Sequence, residues 1–199
     1  MSDCAEVTLT PARLAVVAFA LSIVGLTAPA DAYLALVAPG DAESRQKQVA
    51  DESDCMLVGL GIEEAVFLVP PRAPYVEGSA PRLLEARAKG YPWAPDGALR
   101  PVTPDAPPQP GDLVWWAKVP GGAPEHVEHV VSVVQDGLVL TLVMVAGGER
   151  SAGRETVAKP TRVADWVGGR LVDRGTKRAV LCVVDADLLA GIYGLAEAA

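Results

Sequence analysis

His126-Val127-Glu128-His129-Val130-Val131-Ser132-Val133-Val134, followed by Gln135-Asp136-Gly137 and an apolar run over 138–145, is the stretch that decides the fold. It is rich in β-branched residues, and Asp136-Gly137 splits it at two positions that tolerate the positive φ of a tight turn. The pattern predicts a hairpin of strands over 126–134 and 138–145. Upstream, 112–119 reads as another strand. Downstream, 170–172 and 179–184 read as further strands and 185–193 as a terminal helix.

The part of the chain before position 110 has a different character. Thr10-Pro11 is an N-cap followed by proline in a first turn, and residues 14–26 (LAVVAFALSIVGL) are almost wholly apolar. Thirteen residues fall short of the roughly 20 needed to cross a bilayer. The length suits a signal-peptide core and Ala30-Asp31-Ala32 imitates a cleavage site, but with Asp3 and Glu6 ahead of it and only Arg13 as a basic residue the stretch lacks the positive front of one, and a buried helix is the favoured reading. Residues 42–49 and 81–89 suggest short helices, and 91–110 a proline-rich loop. Residues 55–68 (CMLVGLGIEEAVFL) form an apolar helix, capped by Ser53 or Asp54 and ended by Pro70-Pro71. Gly59 and Gly61 weaken that helix by about 1 kcal/mol each relative to alanine, and suggest a close packing partner. Helices first and an antiparallel sheet afterwards define an α+β layout, with 1–50 as a helical segment packed on a core of 51–199.

Composition bounds the function. In 199 residues there are 17 basic and 25 acidic side chains, a net charge of −8. That balance disfavours nucleic-acid binding, which needs cations to displace phosphate counterions, and a polybasic membrane surface. Half of the residues are hydrophobic, enough for a buried core. Three cysteines cannot pair completely, so this is no disulfide-stapled miniprotein; Cys182 reads as core and Cys4 as a free terminal thiol.

Cys55 carries the chemical reading. At the first turn of a helix, unpaired N–H groups and the helix dipole favour an anion, so a thiol there ionises more readily and the thiolate is the nucleophile. The strand over 126–134 alternates: Val127, His129, Val131 and Val133 share an apolar side, and His126, Glu128, Val130 and Ser132 a more polar one. On that pattern His129 faces the core beside the Cys55 helix and is the expected base, while His126 reads as a solvated residue. A zinc site on His126 and His129 is disfavoured, because the two rings diverge on a strand; no metal or cofactor is expected.

These residues resemble a family. Asp54-Cys55 before an apolar helix, Pro110-Gly111-Asp112-Leu113-Val114-Trp115-Trp116, and the strand from His129 to Val134 with the turn after it resemble the NlpC/P60 and CHAP-type cysteine peptidases, over about residues 50 to 150. The resemblance implies a papain-like fold and a thiol hydrolase cleaving amide bonds in bacterial cell-wall peptidoglycan. In that reading Cys55 attacks the carbonyl, His129 carries the proton, and the Cys55 N–H helps hold the oxyanion. Asp54, Trp115 and Trp116 would lie on the substrate side, as would Trp93 and Tyr91, although Trp115 and Trp116 must face opposite sides of their strand. Two positions depart from the family: Met56 stands where a small residue is usual, and the next strand offers only Thr141 to orient the histidine, with Glu149 as the nearest strong acceptor. Two other functions stay open: a catalytically silent structural or binding component, for instance of a phage or gene-transfer tail or a secretion apparatus, and an intracellular amidase or acyltransferase using the same dyad.

Overall fold

The computed structural model describes residues 8–28, 30–37, 54–70, 95–119, 122, 124–151 and 154–196. The helices expected at 42–49 and 81–89, together with Ser53, Tyr91 and Trp93, lie outside the described residues.

Three helices come from the first part of the chain and the sheet from the second, as an α+β layout requires. They are α1 (Pro11–Ser22), α2 (Asp31–Val37) and α3 (Asp54–Val66). After a 3-10 turn (Asp96–Ala98) come β1 (Leu99–Arg100), β2 (Leu113–Ala117), β3 (Pro124–Asp136), β4 (Val139–Ser151), β5 (Arg154–Ala158), β6 (Thr161–Val167), β7 (Arg170–Asp173), β8 (Ala179–Val184) and finally α4 (Ala186–Tyr193). The hairpin of β3 and β4 turns at Gly137, whose φ is +58°, and pairs Asp136 with Val139. Three strands escape the sequence reading: β1, β5 and β6. Residues 161–167 have no apolar run to mark them, and their register against β4 is what makes them a strand.

The sheet runs β1-β8-β2-β3-β4-β6-β7, with β5 beside β4, and β7 returns to β8 through Val172 and Ala179. Six antiparallel strands therefore close into a barrel, joined at β7 and β8 through that one pair. Closure creates two cores. Inside lie Val114, Trp116, Val130, Leu140, Leu142, Met144, Ala164, Leu171, Val180 and Val183. Outside, Leu113, Trp115, Val127, Val145, Cys182 and Val184 pack under the helices. Trp115 and Trp116 do face opposite sides, but each is 1 % exposed. Both are thus core residues, one per layer, and the expectation that they line a groove is corrected by their burial.

Helix α3 is the central helix. Cys55, Leu57, Val58, Leu60 and Ile62 are all buried, so most of its circumference is apolar and covered, as expected for a helix packed between layers. It lies against β3 and β4 on one side and α1 and α2 on the other. Gly61 permits the second contact: a Cβ there would sit 2.3 Å from the Leu36 carbonyl oxygen of α2. The close partner expected for this glycine is α2.

Helix α1 is locked by charge as well as by apolar packing. Thr10 caps it, accepting from the Arg13 N–H at 3.3 Å. Arg13 then points inward. Its guanidinium donates to Asp112 at 2.8 Å, to Asp187 at 2.7 Å and to the Pro110 carbonyl at 2.9 Å, and reaches Asp185 at 3.0 Å. Arg100 completes the cluster, donating to the second Asp112 oxygen at 2.7 Å and to Asp185 at 2.9 Å. Asp112 is wholly buried, so both of its oxygens depend on these partners and on the Gln109 N–H at 2.9 Å. Gly111 makes room: its φ is +93°, and a Cβ would lie 3.0 Å from the Arg13 Cα.

Two substitutions test this lock. Asp112→Asn leaves two buried guanidiniums short of a carboxylate and should cost about 3–5 kcal/mol in urea unfolding. Gly111→Ala adds left-handed strain to a backbone contact and should cost about 2 kcal/mol or more. Losses under 1 kcal/mol for both would show that α1 is not anchored through this turn.

Candidate active site

Cys55 is the second residue of α3 and is 3 % exposed, so its sulfur sits at the helix start, where the first-turn N–H groups are unpaired by the helix itself. Strand β3 runs alongside α3, and the two elements meet at successive levels. Gly59, one turn along the helix, faces Val127 and Leu113. Glu63, a further turn along, faces His129, with its Oε1 3.5 Å from the His129 Nε2. The start of the helix is accordingly level with the start of the strand, which is where His126 stands.

The thiol hydrogen-bonds to the His126 side chain. This is the thiol–imidazole contact, and it corrects the expectation that His129 would make it. Three residues along a strand are about 10 Å, and His129 is carried past the helix start by that distance. The two rings also differ in charge. Burial pulls the His126 pKa down, but its bond with Cys55, its contact with the Glu128 carboxylate and the charges of both outweigh it, and the pKa rises to about 9. Burial alone governs His129 and drives it down to about 4, against weaker upward pulls from the backbone of Gly59 and Gly111. At neutral pH, therefore, His126 is an imidazolium and His129 a neutral ring. Only the first can hold a proton opposite a thiolate.

His126 continues into a chain of charges. Its Nε2 lies 3.1 Å from the Glu128 Oε1, with the N–H off the direct line to the oxygen. The Glu128 side chain is wholly buried and is gripped by the Arg162 guanidinium, whose nitrogens lie 2.6 Å and 3.3 Å from Oε1 and 3.2 Å from Oε2. Burial pushes the Glu128 carboxyl up, but its bonds to His126 and Arg162 dominate in sum and bring it below the usual carboxylate range. Glu128 was the residue missed in the sequence. Its two-residue spacing from His126 is visible in the sequence, but a more polar strand face does not by itself show that the face is buried. Barrel closure turns that side inward.

Asp54 is the first residue of α3. Thr141 pairs with Val134 and Val163 near the hairpin turn, far along the ladder from either histidine, and the β4 residue opposite His129 is Val145. Thr141 therefore cannot orient the imidazole. Glu149 is paired through its backbone to Thr156 at the far end of β4. Asp112, which lies in the stretch resembling the family's strand motif, holds α1 in place. Among the described residues no group of three or more His, Cys, Asp or Glu side chains is placed to hold a metal ion, and no helix is long and apolar enough to cross a membrane. Compared with family models, curated proteins and solved structures, the chain finds no match.

The Glu63–His129 pair yields a pH prediction. Burial, with the Asp112 charge second, pushes the Glu63 carboxyl well above its usual value, and burial pulls His129 down, so the folded core disfavours the charged form of both partners. The linkages have opposite signs. His129 is depressed from 6.5 to about 4, so its share of stability is complete above 6.5 and disappears as pH falls through 4. Glu63 is raised, so its share is complete below its unfolded value and disappears as pH rises through its folded one. Single variants separate them. In Glu63→Gln, stability to urea should climb by about 3 kcal/mol between pH 4 and 6.5. In His129→Gln it should decline with rising pH over the same range. Equal slopes in the two variants would contradict a neutral pair.

Proposed function

We propose that the protein is a cysteine hydrolase of amide bonds, with Cys55 as nucleophile and His126 as the proton carrier, acting on the peptides of bacterial peptidoglycan. The observation that carries this reading is the contact of a helix-start thiol with the His126 imidazole, whose other side lies 3.1 Å from the buried Glu128 carboxylate. A thiolate–imidazolium couple is the resting form of an activated cysteine nucleophile. The substrate class rests on the resemblance of residues 50 to 150 to NlpC/P60 and CHAP-type peptidases, and the α+β layout with helices preceding an antiparallel sheet is compatible with it.

In the reaction, the Cys55 sulfur attacks the amide carbonyl carbon. The electron pair moves to the carbonyl oxygen, where the Cys55 N–H at the start of α3 can meet the developing charge. His126 then gives its proton to the departing amine nitrogen as the C–N bond breaks, leaving a thioester on Cys55. A water molecule, deprotonated by the now neutral His126, attacks the thioester. This releases the acid and restores the thiolate and imidazolium.

Purified cell wall incubated with the protein should release soluble peptide fragments. Cys55→Ala should abolish release, and His126→Ala should reduce it by about 10²–10⁴-fold. Because His126 loses its proton as pH rises through about 9, activity should fall above that pH. Release that persists in Cys55→Ala would rule out the hydrolase. If neither protein releases anything, the silent-component reading takes its place.

A further inference from the structure

We infer that Glu128, fixed by Arg162, is the positioning residue for His126, so that the group that orients and charges the imidazole comes from the same strand and from inside the barrel. This inference rests on the hydrolase reading for its effect on activity, but not for its effect on the imidazole itself.

The geometry is that of four charges in alternation. The Cys55 thiol meets His126; His126 Nε2 meets Glu128 Oε1 at 3.1 Å; Glu128 meets Arg162 at 2.6 Å. A thiolate, an imidazolium, a carboxylate and a guanidinium sum to zero, so these four groups carry no net charge when the couple is ionised. Each link has a separate duty. A carboxylate beside an imidazole fixes the ring and stabilises its protonated form without taking the proton. Arg162 keeps Glu128 from taking it, because a guanidinium held at two nitrogens lowers the basicity of the carboxylate. The strand supplies the spacing: residues two apart point to the same side, about 6.6 Å along the chain, so ring and carboxylate can meet without help from another strand. Arg162 enters from β6, whose Arg162 pairs with Leu142 across β4, and reaches Glu128 through the barrel interior.

Thr141 lies towards the hairpin turn, and the Glu63–His129 pair is a level deeper along α3. Glu128 is also costly to keep for stability alone. An apolar residue in its place would spare the burial of a carboxylate and a guanidinium, so retention of the pair fits a role in charge placement.

The protein has only two histidines, so their ring protons can be followed individually by NMR during a pH titration. In the parent protein His126 should titrate near 9 and His129 near 4. In Glu128→Gln the His126 midpoint should fall by about one unit or more, while His129 stays in place. Glu128→Asp should restore part of the shift. Release of wall peptides should fall by about 10²-fold or more in Glu128→Gln and recover partly in Glu128→Asp. Should Glu128→Gln fail to fold because Arg162 is stranded, Glu128→Gln combined with Arg162→Gln removes both charges together and carries the same test. A His126 midpoint unmoved in a folded variant lacking the carboxylate overturns the positioning role. Wall digestion independent of Cys55, with a His126 midpoint that does respond to Glu128, would instead remove the hydrolase and leave the charge chain standing.

Discussion

The wholly buried carboxylate of Asp112, held between the guanidiniums of Arg13 and Arg100, is the constraint on which the arrangement depends. Its oxygens join α1, β1 and the turn into β2, and the shared partner Asp185 extends the lock to the start of α4. A buried ion cluster of this kind adds little net stability over an apolar core, but the loss of any one partner is expensive. It therefore acts as a register pin. Helix α1 can sit at only one position over Gly111, α3 packs beneath it, and the start of α3 comes level with the start of β3. The Cys55–His126 contact is the end result of that register.

The second organising feature is barrel closure. In an open two-layer sheet, one face of β3 would be core and the other solvent. Here β7 returns to β8, and the second face becomes an interior of its own. A carboxylate on that face must then find a cation, and Glu128 finds two. The acidic surplus of the chain says nothing about this local balance, because the relevant charges cancel within a single buried group of side chains.

Much of the frame could be read from residues alone. Asp136-Gly137 marked the hairpin, Thr10-Pro11 marked the start of α1, and an aspartate at position 54 before an unbroken apolar run marked α3. Cys55 was legible because helix starts have a physical effect on thiols. The partner was not. The alternation of β3 points to His129 because it lies on the apolar side, and it does lie there, buried against Glu63. Side alone cannot give level, however. Which histidine meets a helix start depends on how far α3 slides along β3, and that is fixed by contacts such as Gly59 on Val127 and Leu113. Those contacts join residues far apart in sequence. The same limit hid Arg162, whose strand has no apolar alternation to reveal it.

Alkylation of Cys55 measures directly which histidine controls the thiol. The rate of iodoacetamide addition, followed on the peptide containing Cys55 by mass spectrometry, should stay high well below the pH at which an ordinary thiol ionises. His126→Ala should abolish that reactivity at low pH, and His129→Gln, in the folded protein, should leave it in place. Loss of reactivity on replacing His129, with none on replacing His126, would contradict the account.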